Sequence, residues 1–310
     1  MATESELIAA LKEIFATSDP KVTIGIGDDG AVVAPTQSSN VLAADMAVEG
    51  VHFNRAWSTL KQIGAKITSA NLADIYAMGG VPKYLLVSAG LPKDFSISEL
   101  RELATGIKEE AAKVGAYVVG GDISSASELV VSISVFGEVE NPITRSGAKV
   151  GDVVVLSNLT GNSAAGLIEL KLGINEGPFV AAHLQPIVKF EMAAEFAKGP
   201  TRVNSMSDVS DGLFSELTNI AQASNVGIEL DTKLLSALPG FGTLSFISEQ
   251  YGIDIWDWIL NGGEDHAFVA TTSNEIPSGA IIIGRVIEGG GVSVLNLTNF
   301  NPGGYRHFGK

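Results

Sequence analysis

Tyr117-Val-Val-Gly-Gly-Asp-Ile-Ser-Ser-Ala-Ser-Glu-Leu-Val-Val-Ser-Ile-Ser-Val-Phe136 carries two strand signals. Tyr117-Val-Val is a short apolar run that gives way to Gly120-Gly-Asp122. From Leu129 to Phe136, Val131, Ile133 and Val135 alternate with Ser132 and Ser134, the period of a half-buried strand. Upstream the period changes. Ser98 to Val114 places Leu100, Leu103, Ile107 and Ala111 at helical spacing, and Lys83 to Leu91 reads as a strand that Pro92 ends. Residues 58–78 read as a long helix with Ile63, Ile67 and Met78 as expected core positions. Further back, Val41-Leu-Ala-Ala ends at Asp45, and Ala31-Val-Val follows Gly25-Ile-Gly-Asp-Asp-Gly30. Residues 3–16 read as an amphipathic helix, with Thr3 and Glu6 at capping-box spacing. Strands alternating with helices predict an α/β layered domain.

The pattern restarts after Asn141-Pro142. A strand is expected over 153–157, a helix from about 162, and a helix over 186–198. A segment 203–208 runs into a helix over 212–223, and strand-like runs follow at 227–231, 267–271, 280–286 and 292–296. No short tandem repeat or low-complexity tract is present. A chain of 310 residues organised in this way predicts two α/β domains, residues 1–141 and 142–310.

Apolar residues make up 45% of the chain and charged residues 18%, enough for a sizeable core and too few charges for disorder. Twenty Lys and Arg against 35 Asp and Glu leave a formal charge of −15 and a pI near 4.6. Such a field repels phosphate backbones and anionic lipid, so neither nucleic acid nor a membrane surface is an expected partner. A small anionic ligand would need something cationic to bridge it to the protein. The absence of cysteine excludes disulfides, thiolate metal sites and a Cys nucleophile. An acidic start, Met1-Ala-Thr-Glu-Ser-Glu6, and the lack of any apolar run near ~18 residues predict a soluble cytoplasmic protein.

Two motifs have duller explanations. Gly25-Ile-Gly-Asp-Asp-Gly30 matches G-x-G-x-x-G in form, but a dinucleotide site needs a helix after it, and Ala31-Val-Val-Ala-Pro is a strand. Two carboxylates also stand where pyrophosphate would approach. Gly161-Asn-Ser-Ala-Ala165 comes close to a hydrolase nucleophile elbow between a strand and a helix. Its fifth position is Ala rather than Gly, and Asn and Ser are ordinary helix caps. No P-loop pattern occurs.

The carboxylates carry more information. Asp28 and Asp29 follow a Gly-turn, Asp45 ends a strand-like run, and Asp122 ends Tyr117-Val-Val-Gly-Gly. Asp208 and Asp211 fall in Ser207-Asp-Val-Ser-Asp-Gly212 before a helix, and Glu264 and Asp265 fall in Asn261-Gly-Gly-Glu-Asp-His266. Asp74 lies inside the apolar helix segment Ala70-Asn-Leu-Ala-Asp-Ile-Tyr-Ala-Met78, sharing a face with Asn71. A carboxylate there is costly unless paired or bound to metal. Any single Asp-Gly is most simply a turn or an N-cap. Several at strand ends of α/β domains point to a ligand site, because ligands bind outside the carboxyl ends of strands. Oxygen donors with few His and no Cys suit a hard cation such as Mg²⁺, which bridges phosphates. Composition and spacing alone thus predict a Mg²⁺-dependent enzyme acting on phosphorylated ligands.

Taken together and in order, these segments resemble the thiamine-monophosphate kinase family, within the superfamily of aminoimidazole ribonucleotide synthetase and selenophosphate synthetase. The elements are Ile26-Gly-Asp-Asp29, Asp45 with Gly50-Val-His-Phe53, Asn71-Leu-Ala-Asp-Ile-Tyr-Ala-Met-Gly79 and Gly120-Gly-Asp122. They continue with Thr144-Arg-Ser-Gly-Ala148, Asp208-Val-Ser-Asp-Gly212, Gly262-Gly-Glu-Asp265 and Gly304-Tyr-Arg-His-Phe308. Each is weak alone; eight in order are specific. The resemblance implies a two-domain α/β protein whose N-terminal domains pair in a homodimer, with active sites at domain and subunit junctions. It implies transfer of the ATP γ-phosphoryl group to thiamine phosphate. Asp29, Asp45, Asp74, Asp122, Asp208 and Asp211 would hold Mg²⁺ ions. Gly121, Asp122, Arg145 and Ser210 would contact ATP, and His52, Glu264 and Tyr305 would contact thiamine phosphate, with catalysis resting on Asp74, Asp122 and Arg145.

The chain departs from the family pattern at two places. Ala43-Ala44 precede Asp45 where Ser or Thr is usual, which removes hydroxyls from one metal site, and His266 replaces a common Tyr at a position read as packing. The rivals within the superfamily that act through a Cys or selenocysteine lose their chemistry in a chain without cysteine. Aminoimidazole ribonucleotide synthetase lacks this Asp-Val-Ser-Asp and Gly-Gly-Glu-Asp combination. It stays the enzymatic alternative all the same, and the alternative of another class is a catalytically silent metal- or nucleotide-binding protein, which only Ala43-Ala44 favours.

Overall fold

Val131, Ile133 and Val135 lie on one face of a strand, and in the computed structural model all three are fully buried. Residues 4–26, 30–298 and 300–304 are described. The chain divides into two compact units, Met1–Ile75 with Gly80–Glu140 and Tyr76–Gly79 with Asn141–Lys310.

In the first unit, α1 (Glu4–Ile14) precedes a short antiparallel pair, β1 (Val22–Ile24) and β2 (Val32–Val33). Then come β3 (Ser39–Val48), α2 (Leu60–Ala77), β4 (Val81–Leu91), α3 (Ile97–Ala112), β5 (Tyr117–Ser125) and β6 (Val130–Val139). The four long strands form one sheet in the order β3-β6-β4-β5, antiparallel except for β4 and β5. The core includes Ile63, Ile67, Leu72 and Ile75 of α2 and Leu100, Leu103, Ile107 and Ala111 of α3, the latter at the expected helical spacing. Met78, expected in the core, lies just past α2 and is only partly buried. A capping box starts α3: Ser96 Oγ accepts from Glu99 N, and the Glu99 carboxylate accepts from Ser96 N.

The second unit holds β7 (Val153–Leu156), α4 (Asn162–Lys171), α5 (Pro178–Leu184), α6 (Phe190–Phe196), β8 (Ser205–Val209), α7 (Leu213–Ser224) and β9 (Gly227–Asp231). After them come α8 (Thr232–Ser236), α9 (Phe241–Tyr251), α10 (Ile255–Asn261), β10 (Ala267–Thr272), β11 (Ile281–Ile287) and β12 (Gly291–Leu295). Six strands run in the order β12-β9-β11-β7-β10-β8, and only β12 and β9 are parallel. Every residue of β8 and β10 is buried, so neither shows the in-out alternation of an open sheet face.

Three expectations need correction. The helix expected over 186–198 occupies only Phe190–Phe196. Pro186 keeps Gln185 out of the helical region (φ −153°, ψ 87°) and closes α5 before it. Asp45 and Asp122 do not end their strands: β3 stays paired with β6 through Val48, and β5 stays paired with β4 through Ser125. Both sheets are largely antiparallel, so the rule that ligands gather outside the carboxyl ends of parallel strands does not locate the site here. Side-chain chemistry has to locate it.

Candidate active site

In the second unit the Asp208 and Glu264 motifs, far apart in the chain, form one structure. β8 pairs with β10, Val209 opposite Ala267 and Asp208 opposite Phe268. Glu264 N donates to the Ser210 carbonyl at 2.7 Å, and His266 N donates to the Val209 carbonyl at 3.0 Å. At Gly263 any Cβ would collide with the Ser210 carbonyl, so the crossing demands glycine there. Glu264 (φ 62°) and His266 (φ 48°) are both left-handed, a strain of about 1–2 kcal/mol for each non-glycine residue. The two backbone hydrogen bonds hold them in it.

Each charged group at the crossing has its own partner. Asp208 is buried, and its Oδ2 lies 3.1 Å from His266 Nδ1. His266 therefore does more than pack. Asp265 is 6% exposed and accepts from Gly161 N (2.6 Å) and Ser163 N (3.0 Å) at the start of α4. Burial pushes its carboxyl up to about 6, against the pull of the Ser163 and Gly161 amides. The sequence suggests Asn162 or Ser163 as the cap of this helix, but the capping acceptor is Asp265, from 104 residues away. Ser163 Oγ lies 3.0 Å from His183 Nδ1, and Glu264 Oε2 lies 3.9 Å from the same nitrogen. A hydrolytic relay needs serine on one ring nitrogen and the acid on the other. Serine and acid on one nitrogen do not make such a relay.

Arg145 is fixed beside this crossing. Its Nε and Nη2 each donate to Ser207 Oγ at 3.2 Å, and Nη2 lies 3.2 Å from Glu216 Oε2. Glu216 is buried and also accepts from Ser207 Oγ (3.0 Å) and Asn219 Nδ2 (3.3 Å). Burial raises its carboxyl above the usual range while the Arg145 charge opposes the rise. The Arg145 side chain remains 52% exposed. Ser207 and Glu216 are not among the residues that sequence reasoning singles out. A signal for Glu216 exists all the same: Leu213, Leu217 and Ile220 mark the buried face of α7, and Glu216 falls on it.

In the first unit, Asn71 is fully buried, accepts from Asp45 N through Oδ1 (3.0 Å), and donates through Nδ2 to the Ile67 carbonyl (2.9 Å). Asp74 lies one turn further along α2, half-buried. The Asp45 carbonyl accepts from Ser132 Oγ at 3.0 Å. Pairing puts Asp45 opposite Ile133, Ile133 opposite Val87 and Val87 opposite Gly121, whereas Asp122 pairs with Ser88. Asp45 and Asp122 therefore project from opposite faces of the sheet. His52 Nδ1 accepts from Val48 N (3.0 Å), closing the turn after β3. Asp29 and Tyr305 lie outside the described residues, as does Asp28. Asp45, Asp74 and Asp122 belong to the first unit, and Arg145, Asp208, Ser210, Asp211 and Glu264 to the second. Among the described residues, no three His, Asp or Glu side chains are grouped to hold a metal ion.

Residues 27–139 match the model of the AIR synthase related protein N-terminal domain, and residues 149–295 match that of its C-terminal domain. The chain is 37% identical over 301 residues to a thiamine-monophosphate kinase of Mycobacterium tuberculosis (strain ATCC 25618 / H37Rv), covering 93% of this chain and 89% of that protein. The chain belongs to the thiamine-monophosphate kinase family. The family member of Aquifex aeolicus (strain VF5) is 35% identical over 91% of this chain and 92% of its own length. A solved structure of AaThiL complexed with AMPPCP and TMP superposes with a TM-score of 0.81 at 32% identity, covering 99% of each chain. The family read from the eight ordered motifs is thus the family found. Among the described residues, no helix is long and apolar enough to cross a membrane.

Proposed function

We propose that this chain transfers the γ-phosphoryl group of ATP to thiamine phosphate, giving thiamine diphosphate and ADP, by direct in-line displacement. The observation that carries the assignment is the likeness, along nearly the whole chain, to a family member complexed with AMPPCP and TMP. The acceptor oxygen belongs to a phosphate that is largely ionised at neutral pH, so no general base is required. The reaction needs positioning and charge neutralisation. Arg145, its inner edge held by Ser207 and Glu216 and its outer half exposed, presents a guanidinium fork to phosphate oxygens. Gly121, Asp122 and Ser210 complete the ATP contacts. His52, Glu264 and Tyr305 take thiamine phosphate, with Glu264 facing its cationic thiazolium or its aminopyrimidine.

Asp29, Asp45, Asp74, Asp122, Asp208 and Asp211 would hold Mg²⁺ ions. An all-carboxylate donor set in a chain without cysteine fits a hard divalent cation. When bound, such ions neutralise phosphate charge and template the two reactants. Asp74, Asp122 and Arg145 are the side chains on which turnover depends most. Residues 1–141 form the ATP- and Mg²⁺-binding and dimerisation domain, and residues 142–310 complete the nucleotide and substrate site. The first-unit sheet supports homodimer formation: Leu42 (62% exposed), Met46 (58%) and Phe136 lie on its open face. A cavity of about 360 Å³ lined by Tyr84, Leu86 and Phe136 opens there too. An apolar sheet face of this kind is suited to a second copy of itself. The site of action is the cytoplasm.

The test is Mg²⁺-dependent ADP formation from ATP, with and without thiamine phosphate, in the native protein and in Asp74→Asn. Turnover that requires thiamine phosphate and collapses in the variant is the expected result. ATP binding that thiamine phosphate leaves without turnover would overturn the assignment.

A further inference from the structure

Glu264 stands apart from the other acidic residues of the crossing. Its backbone is held left-handed, its side chain is 34% exposed, and its Oε2 faces the Nδ1 of a buried histidine, His183 of α5. His183 sits where it does because α4 and α5 meet at backbone distance. At Gly166 a Cβ would collide with the Phe179 carbonyl and come within 2.9 Å of the His183 Cβ. That approach lays the imidazole against the first turn of α4, where Ser163 Oγ lies 3.0 Å from Nδ1. Ser163 N in turn donates to Asp265 Oδ1 at 3.0 Å, and Asp265 adjoins Glu264. The chain of contacts closes on itself: Glu264 to His183, His183 to Ser163, Ser163 to Asp265, and back to Glu264 through one peptide bond.

We infer that His183 is a positioning residue for Glu264: with Ser163 fixing its ring, Nδ1 restrains the partly exposed Glu264 carboxylate in the orientation that meets the cationic part of thiamine phosphate. The inference rests on the substrate role proposed for Glu264 above. Three features distinguish this arrangement from a core histidine that is merely satisfied. Ser163 Oγ alone would satisfy Nδ1. The loop backbone that brings Glu264 to the ring is strained, and such strain is kept where the surrounding structure over-determines it. The carboxylate is the only member of the ring of contacts that remains substantially open to solvent: Ser163, His183 and Asp265 are all buried.

Two variants of similar size and polarity test the inference. The side-chain amide of Asn reaches the place of Nδ1 and that of Gln the place of Nε2, so His183→Asn keeps the contact with Glu264 and His183→Gln loses it. In steady-state assays with ATP and thiamine phosphate, His183→Gln should raise the thiamine-phosphate KM about fivefold, the scale of one partly exposed ion-pair contact at 3.9 Å. The ATP KM should stay within about twofold, and His183→Asn should recover most of the loss. Glu264→Gln supplies the coupling. If His183 acts through Glu264, the double variant His183→Gln/Glu264→Gln has the thiamine-phosphate KM of Glu264→Gln alone. Equal KM values for the Asn and Gln variants, or additive effects in the double variant, would overturn the inference while native turnover upheld the substrate. Native protein that fails to turn over thiamine phosphate would instead overturn the proposed function.

Discussion

Replacing Asp265 by Asn should remove a pH dependence from the stability of the fold. Asp265 is buried, and its carboxyl is pushed up to about 6 from an ordinary 3.8 by that burial. Between these two values the folded chain holds a proton that the unfolded chain has released. The stability contributed by Asp265 is therefore fully present below pH 3.8 and is lost as pH rises through about 6, the reverse of a carboxylate held by a salt bridge. The gap corresponds to about 3 kcal/mol over the whole range, and about 2 kcal/mol of it falls between roughly pH 4.5 and 7.5. Urea unfolding of native protein and Asp265→Asn at several pH values across that window measures it directly. The variant cannot titrate, so the difference in unfolding free energy between the two proteins should shift by about 2 kcal/mol, with the native protein losing ground as pH rises. A difference that stays constant with pH, or one that favours the native protein at higher pH, would refute the reasoning. A constant difference would mean that the Gly161 and Ser163 amides cancel the effect of burial on Asp265, and a difference favouring the native protein at higher pH would mean that they outweigh it.

Two further substitutions probe the same region. Gly263→Ala places a methyl group against the Ser210 carbonyl, so thermal unfolding should register a loss of about 1–3 kcal/mol, with the Glu264–Ser210 hydrogen bond as the first casualty. Glu216→Gln keeps the shape that accepts from Ser207 and Asn219 and removes a buried charge, so Tm should change little. Its loss of the charge that orients Arg145 should lower kcat about tenfold, and an unchanged kcat would exclude Glu216 as the anchor of that fork.

The strand and helix positions of the first unit are legible because each long element carries one clean period. Val131, Ile133 and Val135 read as a strand face and are one, and Leu100, Leu103, Ile107 and Ala111 read as a helix face and are one. The helices between Thr232 and Asn261 are not legible in this way. They are short, the glycines at 240, 242 and 252 punctuate them, and their apolar residues pack against a core that no local period reveals. The same limit applies to the candidate site. Asp74 stands out because a carboxylate inside an apolar helix is visible from sequence. Glu216 obeys the same logic but is hidden by the Asp208 motif just before it. The capping of α4 by Asp265 and the contact of His183 with Glu264 join residues more than 80 positions apart, and no spacing rule reaches that far.

The crossing of the two acidic motifs also explains why neighbouring carboxylates in Gly262-Gly-Glu-Asp265 take different tasks. Asp265 spends both oxygens on backbone amides of α4 and is buried, so it has no edge left for a ligand. Its task is to lock the loop to the helix. Glu264 is one residue away, and the left-handed turn at Glu264 and His266 rotates its side chain out of that lock and toward solvent. Exchanging the two side chains would bury a longer acid against the α4 amides and leave the shorter one at the surface, out of reach of His183. The order Glu then Asp in this motif is therefore a consequence of the local geometry. The double substitution Glu264→Asp with Asp265→Glu should lower stability through the change at Asp265 and thiamine-phosphate affinity through the change at Glu264. Urea unfolding and the thiamine-phosphate KM of each single variant separate the two effects, and a stability loss that followed the Glu264 change instead would contradict this division of labour.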